Sequence, residues 1–125
     1  GEATSMPAPP IAACDGKHHL AELIEEFGVE MAYDVAKLFV SSMDTRLAEL
    51  KDAIQTVSRD DIKSLAHAAR GSCATIGGHQ NAKLFEALER SALNAGESEL
   101  RELFAKANDE YLAVRMVLQP DLKAA

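Results

Sequence analysis

From Lys17 onward, apolar residues recur at intervals of three and four, the period of helices buried along one face, and no segment alternates strictly for long. That period and its interruptions predict five helices. The first lies near residues 17 to 27 (KHHLAELIEEF), with Asp15 as its N-cap and Gly28 as its end. The second, about residues 29 to 56, sets Ala32, Val35, Ala36, Phe39, Met43, Leu47, Leu50 and Ile54 on one apolar stripe. Ser58 opens the third, where SRDD puts acids in the first turn as the helix dipole favours, and it runs to Gly77-Gly78. The fourth, near 80 to 95, stops at Asn94-Ala95-Gly96. The fifth runs from Ser98 to about Gln119, spaces Leu100, Phe104, Ala107, Tyr111, Val114 and Leu118 as a bundle seam requires, and is ended by Pro120.

Connections of a few residues make successive helices antiparallel. The expected fold is therefore all-α: an antiparallel up-down-up-down four-helix bundle with a short additional N-terminal helix as a lid. Residues 1–16 are read as a linker or an expression-derived extension, since GEATSMPAPPIAA has no helical period and carries three prolines. Residues 17–120 form the bundle and 121–125 a tail.

Composition narrows the classes of function. Twenty acids against 13 bases leave a formal charge of −7, which works against binding a phosphate backbone, so no nucleic-acid partner is expected. No apolar run reaches the roughly 18 to 20 residues that span a bilayer, and no signal peptide is read at the start. The expectation is a cytoplasmic protein without direct membrane contact. Two well-separated cysteines, Cys14 and Cys73, fit a reducing compartment.

The stretch HAARGSCATIGG, residues 67 to 78, is where the helical pattern carries chemistry. On a wheel of the third helix, Ile62, Leu65, Ala66, Ala69, Cys73 and Ile76 share the core-facing sector, and His67 lies about 140° from its centre, toward solvent. Its neighbours on that outward face are Arg70, Gly71, Ala74 and Gly78, three of them Gly or Ala. Glycine inside a helix costs about 0.5–1 kcal/mol relative to alanine, and Gly71 faces away from the core, so close approach by another molecule is its explanation. Side chains on a helix lean toward its N-terminus, so Arg70 reaches back over the imidazole while Lys63, a turn earlier, leans away. An exposed, largely neutral imidazole beside a guanidinium on cleared ground suits in-line attack on a phosphoryl group.

These residues carry a resemblance. The pattern His67, Arg70, Gly71, Ser72 and Ile76-Gly77 resembles the motif of the histidine-containing phosphotransfer (HPt) domain of two-component phosphorelays, and the likeness extends through LAELIEEFG, LFVSSMDTRLAELKDAI and KLFEALERSALNAG over roughly residues 18 to 119. The resemblance implies that His67 accepts a phosphoryl group from a receiver-domain aspartate and passes it to another. It implies a carrier with no ATP-binding or hydrolytic site of its own and no cofactor, any Mg²⁺ sitting on the receiver. The implied partners are receiver domains of response regulators or hybrid sensor kinases. The chain departs from the usual pattern at Ala69, Arg70 and Gly78, where Leu, Lys and Ala are frequent.

Catalytic roles are thus expected for His67 as phosphoacceptor, Arg70 as phosphoryl stabiliser and Gly71 as the access point, with Lys63, Ser64, Ala74, Gly78 and His79 as a docking surface. His18, His19 and His79 repeat no i, i+4 ligand spacing, so no metal site is expected. A monomer is expected, free-standing or as the cytoplasmic domain of a membrane-bound sensor kinase. Two other readings stay open: the phosphoacceptor domain of a chemotaxis-type histidine kinase, and a helical docking module without chemistry.

Overall fold

The computed structural model describes residues 16–76 and 78–118, with side chains from residue 22 onward. Residues 1–15 of the proposed linker, with Cys14 and Asp15 among them, the side chains of His18 and His19, Gly77, Pro120 and the tail lie outside the described residues, whereas Gly16, read as the linker's last residue, opens the first helix. Five helices follow in order: α1 (Gly16–Phe27), α2 (Val29–Thr56), α3 (Arg59–Thr75), α4 (His79–Ser91) and α5 (Glu97–Leu118). No strand occurs among the described residues. Helix α2 packs on α3 and α5, and α4 packs on α3 and α5, closing a four-helix ring; α1 lies against α2 and α5.

The apolar period builds the interior directly. Met43, Leu50, Ile62, Phe85, Leu88, Leu100, Tyr111, Val114 and Leu118 are essentially sealed from solvent, and every helix contributes to one continuous core. The predicted stripe holds with three corrections. Val35 is 38% exposed, and Leu65 and Phe104 are only half-buried. Each lies at the margin of its apolar sector, where rotation of the helix in the ring, unreadable from one helix alone, decides what is covered.

The helix ends show why the boundaries fall where they do. Gly28, between α1 and α2, has φ +89°, a conformation open to glycine at little cost. At the far end of α2, the N–H of Val57 bonds to the Ile54 carbonyl at 3.2 Å and that of Ser58 to Ala53 at 2.9 Å, the paired bonds of a Schellman cap. The cap residue Val57 has φ +53°, which a β-branched side chain tolerates poorly. Ser58 precedes α3 but its side chain caps nothing there; its hydroxyl lies 2.9 Å from that of Thr56. Helix α3 ends at Thr75, two residues short of the predicted glycines, and Gly78 instead precedes α4. Helix α4 ends at Ser91, with turns filling the interval to Gly96.

Polar ties between helices set their register. Arg59 at the start of α3 donates to the carbonyls of Ala92 and Ala95 beyond α4, at 3.0 and 2.7 Å. The buried Asn81 of α4 donates to the Ala107 carbonyl of α5. Between α2 and α5, the Tyr111 hydroxyl donates to Asp44 at 2.7 Å while Arg115 grips the same carboxylate. Burial, with the Asp44 charge adding to it, pushes the Tyr111 phenol well above its ordinary range. Across α2 and α3, Arg46 donates to the Ser72 hydroxyl at 3.0 Å. Cys73 is buried among these contacts, and desolvation pushes its thiol up to about 12. It is packing, with no thiolate at neutral pH.

Candidate functional site

His67 sits midway along α3 with its side chain 62% exposed, while Ile62, Ala66, Ala69 and Cys73 of the same helix are buried. The wheel therefore reads correctly: the core-facing sector takes small and apolar residues, and the imidazole stands on the opposite side. Arg70, one turn later, reaches back until its NH2 group is 3.4 Å from His67 Nδ1. A Cβ placed on Gly71 would meet nothing within 4 Å, so the ground beside the ring on that side is open.

A third side chain completes the site from another helix. Glu89 of α4 places Oε2 2.9 Å from His67 Nδ1, and its Oε1 accepts a bond from Arg70 Nε at 3.2 Å. Partial burial raises the Glu89 carboxyl, but its hydrogen bonds to, and the charges of, His67 and Arg70 outweigh that and hold it below the usual carboxylate range. Sequence alone gives Glu89 no role at the site. Nothing in the spacing signals the contact with His67, since it depends on how α4 is rotated against α3, which the Arg59 and Asn81 ties help to fix.

The five residues expected to form a docking surface separate. Lys63, Ser64 and Ala74 are exposed on α3 around His67. Lys63 lines a polar cleft of about 320 Å³ between α3 and α4, together with Arg70, Glu86, Glu89 and Arg90. Gly78 is not on the outward face: it is buried, its N–H bonds to the Cys73 carbonyl at 2.8 Å, and a Cβ there would lie 3.4 Å from that oxygen. The wheel fails for it because α3 stops before it is reached. His79 is exposed, but it is the first residue of α4, ten positions before Glu89 and so about 15 Å from the His67 level along the helix axis. Among the described residues no cluster of three His, Cys, Asp or Glu side chains assembles for a metal.

An apolar groove of about 260 Å³ begins two turns beyond His67, lined by Leu23 of α1, Val35, Leu38 and Phe39 of α2, and Thr75 and Ile76 at the end of α3. Leu38 is 72% exposed on its rim. The α2 pattern alone does not distinguish such a residue from an ordinary surface leucine.

Comparison with known proteins gives two findings. A family model described as "Hpt domain" matches residues 34–119, which contain His67, Arg70, Gly71 and Glu89. Among solved structures, the chain is similar to histidine-containing phosphotransfer protein B (HptB) from Pseudomonas aeruginosa PAO1, with 22% identity, a TM-score of 0.74, and coverage of 86% of this chain and 93% of that one. At that identity the likeness speaks to the fold. No curated protein matches.

Proposed function

The chain belongs to the Hpt-domain family, and we propose on that premise that His67 is the residue that receives the phosphoryl group from one receiver aspartate and yields it to another. A phosphorelay role in histidine phosphotransfer comes with the family, as does work with receiver domains. The observation that supports His67 is the combination of a 62% exposed ring, a guanidinium leaning over it, and open space beside it at Gly71.

The chemistry follows from the parts. A ring nitrogen with a free lone pair attacks phosphorus in line with the breaking bond to the receiver's carboxylate. Arg70, already turned toward the ring, offers N–H donors to the phosphoryl oxygens, a charge-assisted interaction that a planar fork makes well. Gly71 keeps the approach clear. In this reading the domain is a monomeric carrier with no nucleotide site or cofactor of its own, and Mg²⁺ is supplied on the receiver. Its single chain encloses its own core, which supports a monomer. Among the described residues no helix is long and apolar enough to cross a membrane, and the acidic net charge argues against nucleic acid; a cytoplasmic location without direct membrane contact fits both. Lys63, Ser64 and Ala74 ring the histidine, and the groove under Leu38 extends that surface toward α1 and α2, giving a receiver polar footing around His67 and an apolar anchor beyond it.

The test is to incubate the purified domain with a radiolabelled phosphorylated receiver. Label is expected on the domain in acid-labile, alkali-stable form, and absent from His67→Gln. Transfer that persists in His67→Gln refutes the assignment, and a variant that binds receivers normally while carrying nothing excludes a mere docking role.

A further inference from the structure

The polar cleft between α3 and α4, beside His67, sets three cations against two carboxylates: Lys63, Arg70 and Arg90 against Glu86 and Glu89. Each carboxylate already has its cation. Glu89 Oε1 accepts from Arg70 Nε at 3.2 Å, and Glu86 Oε2 lies 3.1 Å from Arg90 NH2. One positive charge is left over. It belongs to Lys63, which is exposed and, among the described residues, has no hydrogen bond or ion pair. Arg59, the other basic residue of α3 ahead of the histidine, is held by the carbonyls of Ala92 and Ala95.

The opposite flank of α3 has the reverse sign. Between α2 and α3 a cleft of about 480 Å³ is lined by Glu49, Asp52 and Asp61, with no basic side chain among the described residues around it. Ser64, one turn before His67, forms part of its wall. An acidic side chain set down over this flank meets like charge, whereas one set down over α4 meets Lys63. That lysine precedes His67 by four residues, about 6 Å along the axis, and leans further toward the start of α3. It therefore faces whatever lies beside the transferring group, while Arg70 faces the group itself.

We infer that Lys63 is a specificity-determining residue for the choice of receiver: it selects receivers that present an aspartate or glutamate side chain to the α3–α4 cleft, and discriminates against those that present lysine or arginine there. The inference rests on the domain being a phosphoryl carrier that docks receivers around His67. Within the isolated chain a hydrated surface cation contributes little. Across an interface its sign counts for more, because charge complementarity steers the encounter and like charges brought together disfavour the wrong partner. The contrast between the two flanks also fixes which way round the receiver sits.

The experiment takes one phosphorylated receiver that loads the wild-type domain and measures transfer over a range of receiver and salt concentrations. At low salt, Lys63→Glu is expected to lower kcat/KM by about tenfold with kcat little changed, and Lys63→Arg to behave as wild type. Raising the salt to about 0.5 M, where the Debye length falls to about 4 Å, should bring the three proteins together. Thermal unfolding of Lys63→Glu should match wild type, as for other surface substitutions. The receiver's partner residue is then found by replacing the exposed aspartates and glutamates around its phosphorylated residue with lysine, one at a time. One such receiver should load the wild type poorly and Lys63→Glu well. A kcat/KM that is unchanged or raised in Lys63→Glu, a loss that salt does not relieve, or the absence of any rescuing receiver overturns the inference. Failure of the carrier reading has a different sign, label that persists in His67→Gln.

Discussion

Arg70 Nε and Glu89 Oε1 meet at 3.2 Å, and that bond holds the guanidinium so that its NH2 end stands 3.4 Å from the His67 ring. Arginine does both because its donors are spread over a rigid fork; lysine has a single charged point and cannot bond Glu89 and lean over the ring together. Arg70→Ala is expected to slow transfer from a phosphorylated receiver by about tenfold to a hundredfold, the range for a lost charge-assisted bond. Arg70→Lys should keep an intermediate rate. A wild-type rate in Arg70→Lys would mean that charge alone, without the fork, is what Arg70 supplies.

The same cluster has a pH signature in stability. The ordinary value of the Glu89 carboxyl is 4.5, and the folded protein holds it lower. A carboxyl depressed on folding contributes stability that is complete above its unfolded value and is lost as pH falls through the folded one. Urea midpoints for wild type and Glu89→Gln should therefore differ at neutral pH and converge as the pH drops below 4.5. A gap that stays constant through that window would show that the Glu89 charge contributes nothing to folding.

The sequence reveals those features of the fold and site that depend on one helix at a time. The α2 and α5 stripes predict their buried residues because burial follows period, and His67 is legible as exposed because Ile62, Ala66, Ala69 and Cys73 claim the opposite side of α3. Glu89 is not legible as its partner, because 22 residues and a helix rotation separate them. Gly78 is misplaced by the wheel for a related reason: the wheel assumes a helix that continues, whereas the chain turns after Thr75 so that Gly78 N–H can satisfy the Cys73 carbonyl. The groove under Leu38 needs three elements at once.

Gly71 separates access from stability. A Cβ there meets nothing within 4 Å, so Gly71→Ala is expected to stabilise the domain by about 0.5–1 kcal/mol through helix propensity alone. Gly71→Leu should also fold, yet slow transfer because its side chain stands where the receiver approaches. Thermal unfolding and the transfer assay on the same two proteins check both halves. Loss of folding in either variant would assign Gly71 a structural role.

Val57 is a site where function does not compete with stability. It occupies the left-handed position of a Schellman cap at φ +53°, where glycine is usual. Left-handed backbone costs a non-glycine residue roughly 1–2 kcal/mol, partly offset by the greater entropy glycine loses on folding. Val57→Gly is expected to gain about 0.5–1 kcal/mol in denaturant unfolding, with transfer rates unchanged because the cap lies ten residues before His67 in the chain.

Leu38 tests whether the apolar groove belongs to the docking surface. It projects from α2 at 72% exposure over Leu23, Val35, Phe39 and Ile76, so the isolated fold gains little from it. Glutamate has a helix propensity close to that of leucine, and surface substitutions of this kind usually stay within about 0.5 kcal/mol in stability. Leu38→Glu should therefore unfold much as wild type does. If a receiver covers the groove, the new carboxylate has to be desolvated against apolar walls, and affinity for the receiver should fall by about tenfold or more while transfer at saturating receiver is largely retained. Titrating receiver in the transfer assay separates these quantities. An unchanged half-saturating concentration would confine docking to the polar surface around Lys63, Ser64 and Ala74.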